Sequence, residues 1–324
     1  MIRSNIIFFI VAALLSVSVC VMALPTSTFI QLHRGVVEKT DNDWQKDMEQ
    51  MKDIGIDTII IQWCAETDVA YIESDDLPYE EQYTTVARII KAASKSKLNI
   101  YLGLHQDPDY WTQITAREKV LRDYFLVKIV QNERLQKALL EEFGDVKEWI
   151  GYYIPDELDD LTWRQPGRAV LISNYVKLMC KRLRFNDPDR KISISTFFRG
   201  RTAPDIFMEN MKAIVTTNTV DNLLLQDGAG NLDPSLQYTP IYYKAFKERW
   251  PEENAELSCV VELFKQESRE NQPFVAIPAA PERVRTQINN ATNFFTDIIF
   301  FTFSDYADPD LGGAAKKLYK ELQK

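Results

Sequence analysis

Trp149-Ile150-Gly151-Tyr152-Tyr153-Ile154-Pro155-Asp156-Glu157 is the stretch of sequence that decides the fold. Its residues up to Ile154 form an uninterrupted apolar and aromatic run, which is typical of a parallel strand that is buried on both faces. The run ends at Pro155 and passes at once into acids at positions 156, 157, 159 and 160. Chemistry in parallel folds belongs at the C-terminal ends of the strands, so Glu157 stands where a functional group is expected.

Further apolar runs of strand length alternate with amphipathic stretches of helical periodicity along the rest of the chain. The runs cover residues 28–32, 57–63, 98–104, 192–198, 222–226, 257–264 and 297–303. Together with the stretch at 149 they make eight strand-then-helix units, which predict a (β/α)8 barrel, also called a TIM barrel. A doubly wound open sheet is the rival, but no Gly-x-Gly-x-x-Gly turn follows an early strand. No linker rich in Pro, Gly or Ser divides the chain, so we expect one barrel domain over residues 24–324.

Composition excludes some classes of function. The 324 residues are 45% hydrophobic and 26% charged, which is ordinary for a globular enzyme, and the net charge is -9. Nucleic-acid binding is not expected, because neutralising phosphates requires clustered Lys and Arg. We expect a monomer that needs neither a metal nor an organic cofactor.

The N-terminus resembles a targeting segment. Arg3 precedes an apolar run over residues 6–21, and Val21-Met22-Ala23 offers a small-residue cleavage site. We therefore expect a signal peptide over residues 1–23 and a periplasmic or secreted product without stable membrane insertion. A membrane anchor is one alternative, because the run is near spanning length. Lipidation at Cys20 is another, although Val19 is bulkier than the residue such a signal prefers.

Three cysteines would remain after cleavage, namely Cys64, Cys180 and Cys259. Each lies in an apolar context and none forms a Cys-x-x-Cys pair. They are expected to be buried free thiols.

Polar, charged or aromatic side chains stand at the C-terminal end of every predicted strand. In a closed barrel these ends meet at one mouth, however far apart they lie in the sequence. Glu262 is the most informative of them because it interrupts an apolar run, where an unpaired carboxylate is costly. The set comprises His33, Gln62, Trp63, His105, Glu157, Arg199, Gln226, Asp227, Glu262, Ser304, Asp305 and Tyr306.

Glu157 and Glu262 predict two carboxylates in one pocket, which is the machinery of glycoside hydrolysis. One protonated carboxyl group donates to the leaving oxygen, and the other attacks the sugar carbon or activates water. Burial and a neighbouring like charge raise the pKa of one carboxyl group, which keeps it protonated near neutral pH. The expected contacts to a carbohydrate substrate are Gln31, His33, Gln62, Trp63, His105, Trp111, Asp156, Gln226, Asp227, Phe264, Asp305 and Tyr306, with Tyr110 and Trp163 as further aromatic residues near the mouth.

The chain resembles known families at these positions. Glutamates after strands four and seven match the pattern of clan A, the retaining glycoside hydrolases of (β/α)8 fold. More closely, the chain resembles the DUF4434 family of exported, glycosidase-like barrels. The resemblance implies a general acid/base at Glu157 and a nucleophile at Glu262. The matching stretches are 29–31, 55–63, 152–157 and 225–228, within a resemblance that covers most of the chain after the signal peptide.

One departure and several alternatives stand beside this interpretation. Clan A has Asn before the acid/base glutamate, whereas this chain has Asp156. Glu157 could instead cap a helix, and Glu262 could be the buried partner of Arg199 or another basic residue. Both histidines could be satisfied, non-catalytic groups.

Two rival functions are also open. A metal-dependent barrel would draw its ligands from His105, Glu157, Asp227 and Glu262, but the first strand lacks a His-x-His pair. A catalytically inactive carbohydrate-binding barrel would keep the aromatic residues and tolerate loss of Glu157.

Overall fold

The computed structural model describes residues 26–231, 236–268 and 272–324. Eight parallel strands close into one barrel, and their order around it follows the order of the chain. The strands are β1 (Ser27–Ile30), β2 (Thr58–Ile61), β3 (Asn99–Gly103), β4 (Trp149–Asp159), β5 (Lys191–Phe197), β6 (Asn222–Gln226), β7 (Glu256–Glu262) and β8 (Ile298–Phe301). Each corresponds to a predicted strand, so the predicted (β/α)8 barrel is confirmed. The predicted signal peptide lies outside the described residues.

A helix follows each barrel strand and packs on the outside of the barrel. The helices are α1 (Asp41–Asp53), α2 (Thr85–Ser96), α3 (Glu118–Phe143), α4 (Pro166–Asn186), α5 (Pro204–Ile214), α6 (Thr239–Arg249), α7 (Pro281–Thr292) and α8 (Gly313–Leu322). Local sequence explains several of their starts. Thr40 and Asp43 form a capping box at α1, and proline opens α4, α5 and α7, where its missing N–H costs nothing.

The barrel interior and its outer shell are packed by alternate residues of each strand. Inside, a buried apolar cluster is formed by Phe29, Ile60, Tyr153, Leu224, Val260 and Ile299. A much larger apolar cluster lies outside it and includes both strand and helix residues. Because successive strand side chains point to opposite faces, residues two positions beyond the inner cluster also face the barrel axis. That rule directs Glu262 and Gln226 inward.

Among the described residues, two small accessory sheets extend the loops that follow the strands, and neither was predicted. One is built from Ala65–Glu66, Val69–Ala70, Glu81–Gln82 and His105–Gln106. The other is an antiparallel pair of Phe264–Gln266 with Ala276–Pro278, directly after β7. Phe264, expected at the end of the seventh barrel strand, therefore belongs to this hairpin.

The predicted state of the cysteines is confirmed, since Cys64, Cys180 and Cys259 are buried free thiols. Within the described parts of the chain, no helix is both long and apolar enough to cross a membrane.

Candidate active site

A cavity of about 580 Å³ lies at the mouth formed by the C-terminal strand ends. Glu157 from β4, Gln226 from β6 and Glu262 from β7 all line it. The structure therefore brings the two predicted carboxylates to one pocket. The remaining walls are Trp111, Phe197, Arg199, Arg201, Asn231, Phe264, Gln266, Phe274 and Phe301.

Strand geometry explains why both glutamates reach this cavity. Glu262 lies two residues beyond Val260, which belongs to the buried cluster inside the barrel. In β4 the register with β5 shifts between Ile154 and Leu158. Irregularities of this kind bend a strand and re-aim its side chains, and they are frequent next to active sites. Glu157 lies inside the shifted segment and lines the same cavity as Glu262.

Glu157 is held by neutral hydrogen-bond donors at one oxygen. Its Oε1 accepts from Gln226 Nε2 at 2.8 Å and, more weakly, from Ser195 Oγ at 3.5 Å. Ser195 Oγ in turn lies 2.7 Å from the hydroxyl of Tyr153. Burial raises the pKa of Glu157 to about 7, against the lowering effects of Gln226, Ser195 and the charge of Arg199. The side chain keeps a partly exposed face toward the cavity, so it can carry and deliver a proton near neutral pH.

Glu262 is more deeply buried and stands beside a second acid. Its side chain is 3% exposed, and its Oε2 accepts a hydrogen bond from the Gly230 N–H at 2.5 Å. Burial and the charge of Asp227 raise the pKa of Glu262 to about 8, whereas Gly230 and Arg283 favour its ionised form. Arg283 also donates to the Glu262 backbone carbonyl at 3.2 Å. Arg283, rather than Arg199, is thus the cation next to Glu262.

Asp227 was expected to contact substrate, but the structure places it behind the cavity wall. It follows the inward-facing Gln226, so its own side chain points out of the barrel toward α7, and it is fully buried. Its carboxylate accepts from Gln287 Nε2 at 2.5 Å and from the Ala229 N–H at 3.0 Å. Burial raises the pKa of Asp227 to about 6. Asp227 therefore acts on Glu262 from behind and has no access to a sugar.

Asp156 is a second correction to the expected substrate contacts. Its side chain is fully buried and forms an ion pair with Lys128 Nζ at 2.7 Å, where Lys128 itself is 1% exposed. Tyr175 also donates a hydrogen bond to Asp156. Both partners come from the helices outside the barrel, α3 and α4. Asp156 thus ties β4 to its flanking helices, on the opposite face of the strand from Glu157.

The predicted aromatic residues divide between the cavity and the core. Trp111 and Phe264 line the cavity, and Tyr306 packs against Phe264 with ring centroids 5.5 Å apart. Tyr110 and Trp163, by contrast, are buried, with 1% and 0% of their surfaces exposed. The hydroxyl of Tyr110 donates to the Glu157 backbone carbonyl at 2.8 Å, so it supports the site without contacting substrate.

Several predicted residues surround a second, smaller cavity of about 230 Å³. Gln31, His33 and Asp305 line it, at the ends of β1 and β8. Gln31 Nε2 donates to Gln62 Oε1 at 2.8 Å, which ties the β1 and β2 ends together. Trp63 donates from its indole nitrogen to a backbone carbonyl just after β1 at 2.7 Å. None of these residues lines the cavity that holds the two glutamates.

His105 is separated from the glutamates by its burial in the accessory sheet. It is 3% exposed, and its ring stacks on Tyr79 with centroids 6.2 Å apart. Burial and the charge of Lys128 lower the pKa of His105 to about 4. His105 does not line the cavity that holds Glu157 and Glu262. Across the described residues, no group of three or more His, Cys, Asp or Glu side chains is arranged to hold a metal ion.

Some wall residues escaped the sequence analysis. Arg201, Asn231 and Phe274 lie in loops beyond the strand ends, and Gln266 lies in the short accessory strand after β7, where no periodic pattern indicates direction. Phe197 was visible as the last apolar residue of the fifth strand. Strand alternation could have found it, because Ser193 and Ser195 precede it at two-residue intervals on the inward face.

Residues 26–312 match the family model described as "Domain of unknown function (DUF4434)". The chain belongs to this family. The curated relative YbcH of Escherichia coli K12, an uncharacterized protein, is 28% identical over 194 residues, or 59% of this chain. The match spans 60% of the length of YbcH.

Solved structures of glycoside hydrolases share the barrel fold of this DUF4434 protein. A "putative alpha-L-fucosidase" from Bacteroides thetaiotaomicron VPI-5482 superposes with a TM-score of 0.76 at 19% identity, covering 93% of this chain and 94% of its own. A GH18 chitinase from Pseudoalteromonas aurantia gives 0.53 at 11% identity, covering 92% and 99%. The xylanase TsXylA from Thermoanaerobacterium saccharolyticum gives 0.52 at 11% identity, covering 86% of each chain. At these identities the likeness shows the fold alone.

Proposed function

We propose that this protein is a glycoside hydrolase that uses Glu157 and Glu262 as its two catalytic carboxylates. The observation that carries the proposal is their shared cavity: both side chains line it, and both have a pKa raised toward neutrality. Acid-assisted cleavage of a glycosidic bond requires one carboxyl group that is protonated and one that is ionised. Two carboxyl groups that titrate near pH 7 can supply both states at that pH. Aromatic walls from Trp111 and Phe264 suit the apolar faces of sugar rings.

The hydrogen bonds support a division of roles. At Glu157 both donors approach Oε1, which leaves Oε2 to carry the proton of a general acid. At Glu262 the Gly230 N–H approaches Oε2, and Arg283 lies nearby, so donors and charge both favour an anion that attacks through Oε1. Because burial and Asp227 raise the pKa of Glu262, it must lose a proton before it can attack. We therefore assign Glu157 as acid/base and Glu262 as nucleophile.

The reaction proceeds in two balanced steps under this assignment. Glu262 forms an ester bond to the anomeric carbon while the glycosidic C–O bond breaks, and the leaving oxygen takes the proton of Glu157. Water then attacks the anomeric carbon, Glu157 removes its proton, and the ester bond to Glu262 breaks. Retention of configuration requires the two carboxyl groups to lie about 5–5.5 Å apart, whereas about 6.5–9.5 Å would give inversion.

Rescue kinetics test the assignment. Glu262→Ala should abolish turnover, and azide should restore it with a glycosyl azide of inverted configuration as product. Glu157→Ala should slow unactivated substrates far more than substrates with good leaving groups, which need little protonation. Full activity of either variant on an unactivated glycan would remove that residue from the mechanism.

We also propose that the mature protein is exported, to the periplasm or the medium, and acts as a monomer. Arg3 and the apolar run over residues 6–21 support export. Mass spectrometry of the mature N-terminus is expected to show cleavage after Ala23. A chain that begins with a lipidated Cys20, or that keeps its N-terminus, would refute this cleavage site. Light scattering of the mature protein tests the monomer.

A further inference from the structure

Two arginines line the wall of the catalytic cavity. Arg199 and Arg201 both border it, and both are exposed. Within the described ranges, neither guanidinium group belongs to the ion pairs that arginines form with acids. Two cations without an acidic partner among the described residues thus border the cavity that holds the two glutamates.

The loop that carries these arginines is held firmly in place. Asp160, buried beneath it, accepts hydrogen bonds from the N–H groups of Arg199, Arg201 and Thr202 at 3.2, 3.0 and 3.1 Å. The Thr202 hydroxyl donates to the Asp160 backbone carbonyl as well. Gly200 adopts a φ of 69°, a left-handed conformation that suits glycine. The backbone positions of both arginines are therefore fixed before any ligand arrives, which lowers the entropic cost of binding.

Below the loop, apolar rings complete a mixed wall. The guanidinium carbon of Arg199 lies 5.4 Å from the ring centroid of Phe197, which packs edge-on against Trp111 at 5.4 Å. Such a surface offers an apolar platform to a sugar ring and cationic donors to a group on its edge.

The arginines are not needed to neutralise the two glutamates. Arg199 lowers the pKa of Glu157 through its charge, but the two side chains form no direct ion pair. Arg283, from α7, is the cation beside Glu262 and Asp227. An anionic group of a ligand in this cavity would therefore meet two guanidinium groups that form no ion pair with a described acid.

We propose that the substrate is an acidic saccharide, whose carboxylate or sulfate group is bound by Arg199 and Arg201 while its glycosidic bond lies between Glu157 and Glu262. This inference rests on the proposed glycosidase function and specifies its substrate class. The planar guanidinium fork binds a carboxylate or a sulfate through paired charge-assisted hydrogen bonds, and a neutral sugar cannot replace them.

Equilibrium binding on matched glycans tests this inference without requiring turnover. The panel pairs oligogalacturonate with its methyl ester, and a carrageenan oligosaccharide with its desulfated form, beside neutral xylan and chitin oligosaccharides. Titration calorimetry compares the native mature protein with Arg199→Gln and Arg201→Gln. Arg182→Gln is the control, because this exposed arginine lies near the end of α4, at the opposite end of the barrel from the mouth. Circular dichroism checks that each variant is folded.

We expect an acidic member to bind at least tenfold more tightly than its neutral counterpart, and each cavity variant to weaken that binding about 10- to 100-fold. The control variant should bind like the native protein. Tighter binding of oligogalacturonate than of its methyl ester identifies a carboxylate, and tighter binding of the carrageenan oligosaccharide than of its desulfated form identifies a sulfate. Equal binding of acidic and neutral members, unchanged in both cavity variants, would overturn the inference and leave the glycosidase proposal standing. Failure to bind any glycan would overturn both.

Discussion

Replacing Glu262 by glutamine should stabilise the folded protein at neutral and alkaline pH. Burial and the charge of Asp227 raise the pKa of Glu262 from 4.5 to about 8 in the folded state. The folded protein therefore binds this proton more tightly than the unfolded chain does. The stability that protonation contributes is complete below about pH 4.5 and is lost as the pH rises through about 8. Glutamine has the shape of the protonated acid and removes this dependence.

The magnitude follows from the interval over which the two states differ. Between pH 4.5 and 7 the unfolded carboxyl group ionises and the folded one mostly does not, and each pH unit costs about 1.4 kcal/mol. The full interval gives about 3 kcal/mol at pH 7, and sharing of the proton with Asp227 reduces it to about 2 kcal/mol. Glu262→Gln should thus raise the free energy of unfolding by about 2–3 kcal/mol at pH 7 and by roughly nothing at pH 4.

Urea unfolding followed by circular dichroism, at several pH values from acid to alkaline, measures this difference. Glu253→Gln is the control, because Glu253 is exposed and should show no comparable gain. Destabilisation by Glu262→Gln at neutral pH would refute the reasoning, since it would mean that Gly230 and Arg283 stabilise an ionised Glu262. A gain that does not change with pH would refute it equally.

Three further predictions concern activity and packing. If Glu157 must be protonated and Glu262 ionised, the hydrolysis rate should peak at about pH 7.5 and fall about twentyfold two pH units away on either side. A pH optimum near the ordinary pKa of glutamate would contradict these pKa values. Asp156→Ala should cost about 3–5 kcal/mol in chemical unfolding, because it leaves Lys128 buried without its partner, and Asp156→Leu with Lys128→Met should recover much of that loss. Added EDTA should leave the hydrolysis rate unchanged, and inhibition that zinc or magnesium reverses would favour the metal-dependent alternative.

The barrel could be predicted because each strand has a local sequence pattern. The position of the two glutamates could be predicted because it follows from closure of the barrel. A strand that is buried on both faces has a continuous apolar sequence, so all eight strands could be predicted. Closure of the barrel then brings every C-terminal strand end to one mouth. Glu157 and Glu262 meet for that reason, although β5 and β6 lie between their strands.

Which strand-end residues face the cavity was harder to predict. Gln226 and Asp227 are neighbours, so strand alternation allows only one of them inside, and the inward position of Leu224 selects Gln226. Asp156 and Glu157 are also neighbours, so strand alternation directs their side chains to opposite faces of β4. In β4, however, the register with β5 shifts after Ile154, and the sequence does not indicate this shift. The faces to which the last side chains of β4 point could therefore not be predicted from the sequence alone. His105 was misplaced because a short accessory strand continues beyond β3.

The arginine loop depended on contacts that sequence patterns do not encode. Asp160 holds Arg199, Arg201 and Thr202 across about forty residues of sequence through backbone hydrogen bonds. In sequence, Asp160 is only the last of four acids at the end of β4. A carboxylate that binds backbone N–H groups looks the same in sequence as one that binds a sugar.

Release of reducing ends from a glycan panel, measured in parallel for the native protein, Glu157→Gln and Glu262→Gln, tests the central claim most directly. The panel includes acidic and neutral oligosaccharides with unactivated leaving groups. We predict that the native protein cleaves at least one of them, and that each variant loses at least about a thousandfold in rate while remaining folded. Native rates in both variants, or no cleavage by the native protein, would contradict the assignment of these two carboxylates to glycoside hydrolysis.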